Sequence, residues 1–129
     1  MKEKIAISGA RGFIGKALTR KLEQSGYTLE RISRSGKLPK NLDYIFDLAA
    51  YGNYHFQTDA EKIFKVNVDR LVKILEQAKD QKIKGIVLTS SSSVQQPITT
   101  LYAASKLSVE AIGKAYADIH NLPIVVLRP

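Results

Sequence analysis

The sequence contains no cysteine, and this absence excludes several kinds of chemistry at once. Disulfides, thiol nucleophiles and cysteine-bound zinc sites are all ruled out. The two histidines, His55 and His120, have no metal-ligand pattern around them, so we predict no metal site. A chain without cysteine is also compatible with a reducing cytoplasm, which is the location we predict.

Long apolar runs and acidic residues are scarce as well. Apolar runs such as Ile86-Val87-Leu88 are far shorter than the roughly 20 residues of a membrane-spanning helix, so we predict no membrane association. Twelve acidic residues against 20 lysines and arginines give a net charge of +8. The basic residues are spread along the chain without interleaved aromatics. This favours a solvated surface or a phosphate-bearing small ligand over nucleic acid.

Short apolar runs alternate with helical patterns along the 129 residues. The patterns predict strands at 4–8, 27–33, 43–48, 84–90 and 123–127, and helices beginning at Phe13 and covering 58–79 and 101–119. Continuous apolar strands separated by helices form parallel sheets that are covered on both faces. We therefore predict an α/β fold, a Rossmann-like doubly wound sheet of about five strands, in a single domain over 1–129.

The segment 34–42 is too short to be a crossover helix, which normally needs about a dozen residues. We predict a bare loop there. If this loop replaces a pair of sheet elements, the strand order becomes 2-1-3-4-5, and a ligand would bind at the switch between strands one and three.

A glycine-rich turn joins the first strand to the first helix, with Gly9, Gly12 and Gly15 in sequence. Glycine lets the backbone turn tightly and approach a pyrophosphate closely, and the helix N-terminus offers free N–H groups to that anion. The turn therefore predicts dinucleotide binding. The cofactor-binding residues predicted here are Gly9, Arg11, Gly12, Phe13, Ile14 and Gly15.

The end of the second strand predicts which dinucleotide binds. A carboxylate that would hold a ribose 2′-hydroxyl is expected there, but the chain reads Ser33-Arg34-Ser35. A guanidinium suits a 2′-phosphate by charge and geometry, and Arg11 adds a second positive group. We predict NADP(H) over NAD. The alternative is that Arg34 is a solvated loop residue and the site does not discriminate between NADP(H) and NAD.

Tyr102 and Lys106 lie four residues apart on a predicted helix, so they share one face. A phenol is a poor base at neutral pH, but a neighbouring ammonium favours the phenolate and lowers its pKa. Hydride chemistry on an alcohol needs such a base, which takes the hydroxyl proton while the hydride leaves the same carbon.

The glycine turn, together with later segments in the same order, resembles the extended short-chain dehydrogenase/reductase family of nucleotide-sugar epimerases and dehydratases. These segments are Asp43 to Ala50, Val66-Asn67-Val68, Thr89 to Val94, Tyr102 to Lys106, and Leu127-Arg128-Pro129. The resemblance implies an NADP(H)-binding oxidoreductase acting on a nucleotide sugar, and a homodimer paired through helices 58–79 and 101–119.

The resemblance also implies roles for individual residues. Tyr102 is the acid/base, Lys106 holds the nicotinamide ribose, and Ser91 polarises the substrate. Register slips within the serine run keep Ser90 and Ser92 as alternatives. Asn67 supports the site in the family, or here caps a backbone kink. Further cofactor contacts are expected at Leu48, Ala49, Ala50, Ser33 and Arg34.

The sequence departs from the family pattern in three places. The loop 34–42 replaces a helix, a strand and a helix, and the stretch from Ser91 to Tyr102 is shorter than the family norm. Family members also continue beyond the Arg128-Pro129 pair into a substrate domain, which we expect to be absent. A non-catalytic dinucleotide-binding module, or the cofactor half of a longer enzyme, is therefore the alternative function.

Overall fold

Five parallel strands form the centre of the computed structural model, which describes residues 2–129. The strands are β1 (Lys4–Ser8), β2 (Thr28–Arg31), β3 (Tyr44–Asp47), β4 (Gly85–Thr89) and β5 (Ile124–Leu127). The helices are α1 (Phe13–Gln24), α2 (Ala60–Phe64), α3 (Arg70–Ala78) and α4 (Leu101–His120), with a π-helical segment at Lys65–Asp69 and a 3-10 turn at Ser92–Gln95. The sheet order is β2-β1-β3-β4-β5, which confirms the predicted order and fold class.

The core lies between the sheet and the pair of helices α3 and α4. Side chains of the central strands, such as Ile45 and Leu88, are fully buried against the apolar stripe of α3 and the inner face of α4. This arrangement follows from the continuous apolar strands, which need cover on the sheet faces. The helix-side cluster contains Ala6, Ile45, Ile86, Leu88, Leu71, Ile74, Leu75 and Val109.

Residues 34–42 form a loop without helix or strand, as the sequence predicted. Two glutamines of α3 and its C-terminal turn hold its backbone. The Gln77 side chain accepts from Leu38 N at 2.9 Å and donates to Gly36 O at 2.8 Å. Gln81 accepts from Leu42 N at 3.0 Å and donates to Pro39 O at 2.9 Å. Each glutamine side chain thus gives one N–H and one carbonyl of the loop the hydrogen bonds that a neighbouring strand or helix would otherwise provide.

The helix predicted over 58–79 is observed over 60–78, where α2, the π-helical segment and α3 follow one another without a break. The π-helical segment contains Asn67, whose buried side chain bonds to the backbone of Tyr51 rather than to its own helix. A wider helical turn of this kind often accompanies a functional site.

The second strand is also shorter than predicted, because it ends at Arg31 and the chain turns at Ser33. Within residues 2–129, no helix has both the length and the apolar character needed to cross a membrane.

The glutamine contacts make a prediction about stability. Replacing Gln77 by Met leaves the Leu38 N–H and the Gly36 carbonyl without their side-chain partner, so the free energy of unfolding should fall by about 1–3 kcal/mol. Chemical denaturation measures this change. Gln24→Met, at the exposed end of α1, is the matched control and should change stability by less than about 0.5 kcal/mol. Equal losses for the two variants would contradict the role given to Gln77.

Candidate active site

The glycine turn lies where β1 ends between β2 and β3, at the switch point of the sheet. Gly9 has a φ of +71°, and a Cβ on it would lie 2.7 Å from Ala49 N. A Cβ on Gly15 would lie only 1.9 Å from Gly9 O. Packing within the chain therefore explains both glycines, because α1 sits directly on the turn.

Gly12 differs from these two glycines. Its φ is −74°, it is exposed, and a Cβ there would meet only Gly9 O, at 3.4 Å. Packing does not require glycine at this position, whereas close approach of a ligand does. Gly12 also begins α1, which no side chain of residues 2–129 caps, so its first N–H groups are available to an anion. These features fit the pyrophosphate of a dinucleotide.

The floor of the site is the segment Leu48–Ala50, which follows β3. The Ser8 hydroxyl donates to the carboxylate of Asp47 and accepts from Leu48 N at 3.0 Å and Ala49 N at 3.1 Å. The end of β1 is therefore locked to the end of β3. This lock places the predicted cofactor contacts Leu48 and Ala49 beside the glycine turn.

A cavity of about 370 Å³ opens beyond this floor, and it brings the predicted reactive residues together. Ser91 and Tyr102 both line it, and Lys106 comes from the next turn of α4. The residues lining it are Ile14, Leu48, Ala50, Asn53, Thr89, Ser90, Ser91, Ser92, Tyr102, Lys106 and Pro129. The shortened stretch between Ser91 and Tyr102 therefore still lets the two side chains meet.

The serine run has one member suited to the phenol. Ser90 is buried, and its hydroxyl donates to the Lys106 carbonyl at 3.4 Å. Ser92 is exposed and begins the 3-10 turn. Ser91 acts to lower the pKa of the Tyr102 phenol, and its oxygen accepts from Ser93 N at 3.2 Å. Among the three candidates, the geometry favours Ser91.

The expected effect of Lys106 on Tyr102 is corrected by the structure. The Lys106 ammonium donates to Thr89 O at 2.9 Å and lies 5.9 Å from the centre of the Tyr102 ring. Burial raises the pKa of the Tyr102 phenol above its usual value, and the Ser91 hydrogen bond partly opposes this shift. Burial also lowers the pKa of Lys106, although the nearby carboxylate of Asp47 counteracts it. The phenol is therefore protonated at neutral pH.

Asn67 does not line the reactive cavity. It is 3% exposed, and its amide bonds to both backbone groups of Tyr51 and donates to Ser105 Oγ at 3.0 Å. Ser105 in turn donates to Tyr102 O at 2.7 Å. Asn67 thus connects the loop after β3 to the turn of α4 that carries Tyr102. Any effect of Asn67 on a cofactor passes through these neighbours.

The other predicted cofactor residues lie on the surface of the same edge. Ser33 and Arg34 are exposed in the turn after β2, and Arg11 is exposed in the glycine turn. Phe13 is 95% exposed and Ile14 is 48% exposed at the start of α1. Ile14 lines the reactive cavity, whereas Phe13 does not.

Sequence reasoning missed a buried ion pair below this edge. Arg70 Nη1 lies 3.5 Å from Asp47 Oδ1, and both residues are at least nine-tenths buried. A carboxylate at the end of the apolar strand β3 is an unusual residue and was a signal that could have been followed. Arg70 gave no such signal, because an arginine on an amphipathic helix is normally solvated.

A parallel sheet with a glycine turn at its switch point is the arrangement in which doubly wound folds bind dinucleotides. Residues 5–129 match the profile of the NAD dependent epimerase/dehydratase family, and the chain belongs to this family.

Two curated relatives match nearly the whole chain. The UDP-2-acetamido-2,6-beta-L-arabino-hexul-4-ose reductase of Pseudomonas aeruginosa is 26% identical over 97% of the chain, which covers 34% of that protein. Protein CapI of Staphylococcus aureus is 24% identical over 97% of the chain, which covers 53% of it. The chain thus spans about a third to a half of these proteins.

Solved structures show the same fold. The UDP-glucuronic acid 4-epimerase of Bacillus cereus, in complex with NAD, has a TM-score of 0.84 at 24% identity, over 97% of this chain and 55% of that one. The Bordetella bronchiseptica enzyme WbmF, in complex with NAD+, has a TM-score of 0.87 at 19% identity. The match covers 98% of this chain and 49% of that one.

The contrast between Gly12 and Gly15 is testable. Gly15→Ala forces a Cβ into the Gly9 carbonyl and should cost at least about 3 kcal/mol of unfolding free energy or prevent folding. Gly12→Ala has room and should cost under about 1 kcal/mol. Thermal and denaturant unfolding measure both. A large loss for Gly12→Ala would mean that packing within the chain, and not a ligand, explains this glycine.

Proposed function

We propose that the chain is an NADP(H)-binding oxidoreductase domain of the epimerase/dehydratase type, acting on a nucleotide sugar. The observation that carries this proposal is the cavity that brings Ser91, Tyr102 and Lys106 together with Ile14 at the start of α1. A hydroxyl, a phenol and an ammonium thus converge beside the turn that fits a pyrophosphate. The Pseudomonas reductase and the Bacillus epimerase act on UDP sugars by name, which supports the substrate class.

A dinucleotide held by the glycine turn and Lys106 would supply or take up the hydride in the proposed reaction at a sugar carbon. Tyr102 Oη gives a proton to the carbonyl oxygen during reduction, or takes it from the hydroxyl during oxidation. Ser91, on the wall of the same cavity, donates a hydrogen bond to the same oxygen. Lys106, anchored by the Thr89 carbonyl, holds the nicotinamide ribose beside Tyr102.

The protonation state of Tyr102 bears on the direction of the reaction. Burial keeps its pKa above the ordinary value, so the phenol carries its proton at neutral pH. A protonated phenol is ready to act as an acid, which is what ketone reduction requires. Oxidation needs the phenolate, which the positive charge of an oxidised nicotinamide would favour on binding.

The preference for NADP(H) rests on the turn after β2. No carboxylate stands there among Ser33, Arg34 and Ser35, and the Arg34 side chain is exposed toward solvent. A guanidinium at this position attracts the 2′-phosphate of NADP(H). The ribose 2′-hydroxyl of NAD would find no carboxylate acceptor there.

A second function is supported by one observation. The chain covers only 34% and 53% of the length of its two curated relatives. A dinucleotide-binding module without turnover, or the cofactor half of a longer enzyme, accommodates this fact. Turnover assays separate this alternative from a complete enzyme.

The cofactor proposal predicts the result of calorimetric titrations. The wild-type chain should bind NADPH at least about tenfold more tightly than NADH, because a charge-assisted contact contributes about 1.5–3 kcal/mol. Arg34→Asp should remove this preference. Arg20→Asp, on the exposed face of α1, makes the same charge change and should leave the preference in place. Equal affinities in the wild type would end the NADP(H) assignment, and no binding of either would end the dinucleotide proposal.

The catalytic proposal predicts a separation of binding from turnover. Tyr102→Phe keeps the ring but removes the proton donor, so it should abolish NADPH oxidation with a 4-keto UDP sugar while changing the NADPH dissociation constant less than about threefold. Tyr116→Phe removes the other phenol of α4, which bonds to Glu76 on the surface, and should remain active. An active Tyr102→Phe would exclude this residue as the acid. An inactive wild type that binds NADPH would favour the module.

The homodimer stays a prediction. Leu107 is 46% exposed on α4, one of the two helices through which a second copy would pair. Light scattering of the purified chain at micromolar concentration would decide it, and a clean monomer would count against it.

A further inference from the structure

A second cavity, of about 600 Å³, lies between the turn after β2 and the helices α2 and α3. Four basic residues line it, namely Arg34, Lys65, Arg70 and Lys73, and we call it the basic cavity. Two carboxylates, Glu61 and Asp69, also lie on its wall, so the charges lining it sum to about +2. The cavity therefore favours an anion with more than one negative charge.

Arg70 is the buried member of this set. Its side chain is 8% exposed, whereas Arg34, Lys65 and Lys73 are exposed residues. Its contacts with protein acceptors are long, since Nη1 lies 3.5 Å from Asp47 Oδ1 and Nε lies 3.5 Å from Ser33 O. Asp47 is shared with the Ser8 hydroxyl. A guanidinium has five N–H donors, so Arg70 retains capacity to bind a further anion.

Arg70 also supports the turn that presents Arg34. Gly36 N donates to Ser33 O at 2.9 Å, which makes Arg34 and Ser35 the corner residues of a tight turn. Gly36 has a φ of +82°, and a Cβ on it would lie 3.2 Å from Arg70 Cγ. The turn thus packs directly on the Arg70 side chain. The two arginines are held at one corner of the cavity, one exposed and one buried.

The position of this corner identifies the anion. Ser33 follows β2, and in a doubly wound sheet the end of the second strand lies beside the adenosine ribose. Two guanidiniums together favour a phosphate monoester, because each can form paired hydrogen bonds with its oxygens. A 2′-phosphate on that ribose is the phosphate monoester that the glycine turn would deliver to this point.

We propose that the basic cavity binds the 2′-phosphate of NADP(H), and that Arg70 determines the specificity by presenting Arg34 and adding its own buried charge. This inference rests on the proposed function, since it assumes that the glycine turn holds a dinucleotide. It assigns the preference for the phosphorylated cofactor to a helix residue as well as to the turn after β2.

The test compares NADPH with NADH in the full chain, by calorimetry. Arg70→Met should weaken NADPH binding at least tenfold and change NADH binding less than about threefold. Arg70→Lys keeps the charge and should restore part of the preference. Because Arg70→Met leaves Asp47 as a buried unpaired charge, a double variant with Asp47→Asn removes both charges and should show the same loss of preference.

Gln77→Met is the matched control, since it loosens the same loop without removing a charge, and the NADPH-to-NADH ratio should stay at the wild-type value. Adenosine 2′,5′-bisphosphate should compete with NADPH and should bind more weakly to Arg70→Met than to the wild type. The affinity of ADP, which has no 2′-phosphate, should be the same for both. If inorganic phosphate competed as well as the bisphosphate, the cavity would be a general phosphate site and the assignment to the cofactor would be wrong.

The outcomes separate the two proposals. A wild type that prefers NADPH while both Arg70 variants keep its full preference overturns the inference alone. An equal change of ratio in Gln77→Met would reduce Arg70 to a structural support. A wild type that binds neither dinucleotide overturns this inference together with the proposed function.

Discussion

The structure depends on the close approach of α1 to the turn at the end of β1. Gly15 lies so near the Gly9 carbonyl that no side chain fits between them, and a Cβ on Gly9 would lie 2.7 Å from Ala49 N in the loop after β3. These contacts fix the N-terminus of α1 above the switch point of the sheet. The lock between Ser8, Asp47 and the amides of Leu48 and Ala49 fixes the floor on the other side. The groove for an extended anion is the space that remains between them.

The reactive cavity is built outward from the same edge. Thr89 connects the two regions, because its hydroxyl donates to Asp47 O at 2.9 Å and its carbonyl accepts from Lys106. Asn67 donates to Ser105 Oγ, and Ser105 donates to Tyr102 O, so the π-helical segment is hydrogen-bonded to the turn of α4 that carries Tyr102. Positions on four elements are thus coupled through buried hydrogen bonds. The serine–tyrosine pair meets at this junction despite the short connection between its members.

The parts of the fold that follow from a regular residue spacing, or from a backbone conformation that only glycine adopts easily, could be predicted from the sequence. The apolar strands, the glycine turn and the Tyr102–Lys106 spacing belong to this group, since each depends on local pattern. Contacts between distant segments could not be predicted. Gln77 and Gln81 carry no local signal of a distant partner, yet their side chains bond to the backbone of the loop 34–42. The Asp47–Arg70 pair and the burial that raises the pKa of Tyr102 likewise depend on the packed structure.

The central claim is that Gly12 and its neighbours contact a dinucleotide, and amide chemical shifts test it most directly. Adding NADPH to the nitrogen-labelled chain should shift the backbone amides of Gly12 to Gly15 first and most, together with those of Ala49 and Ser91. These residues surround the groove, so their amides should respond in one saturable process. Shifts confined to the basic side chains and abolished by moderate salt, with the glycine amides unchanged, would contradict the account.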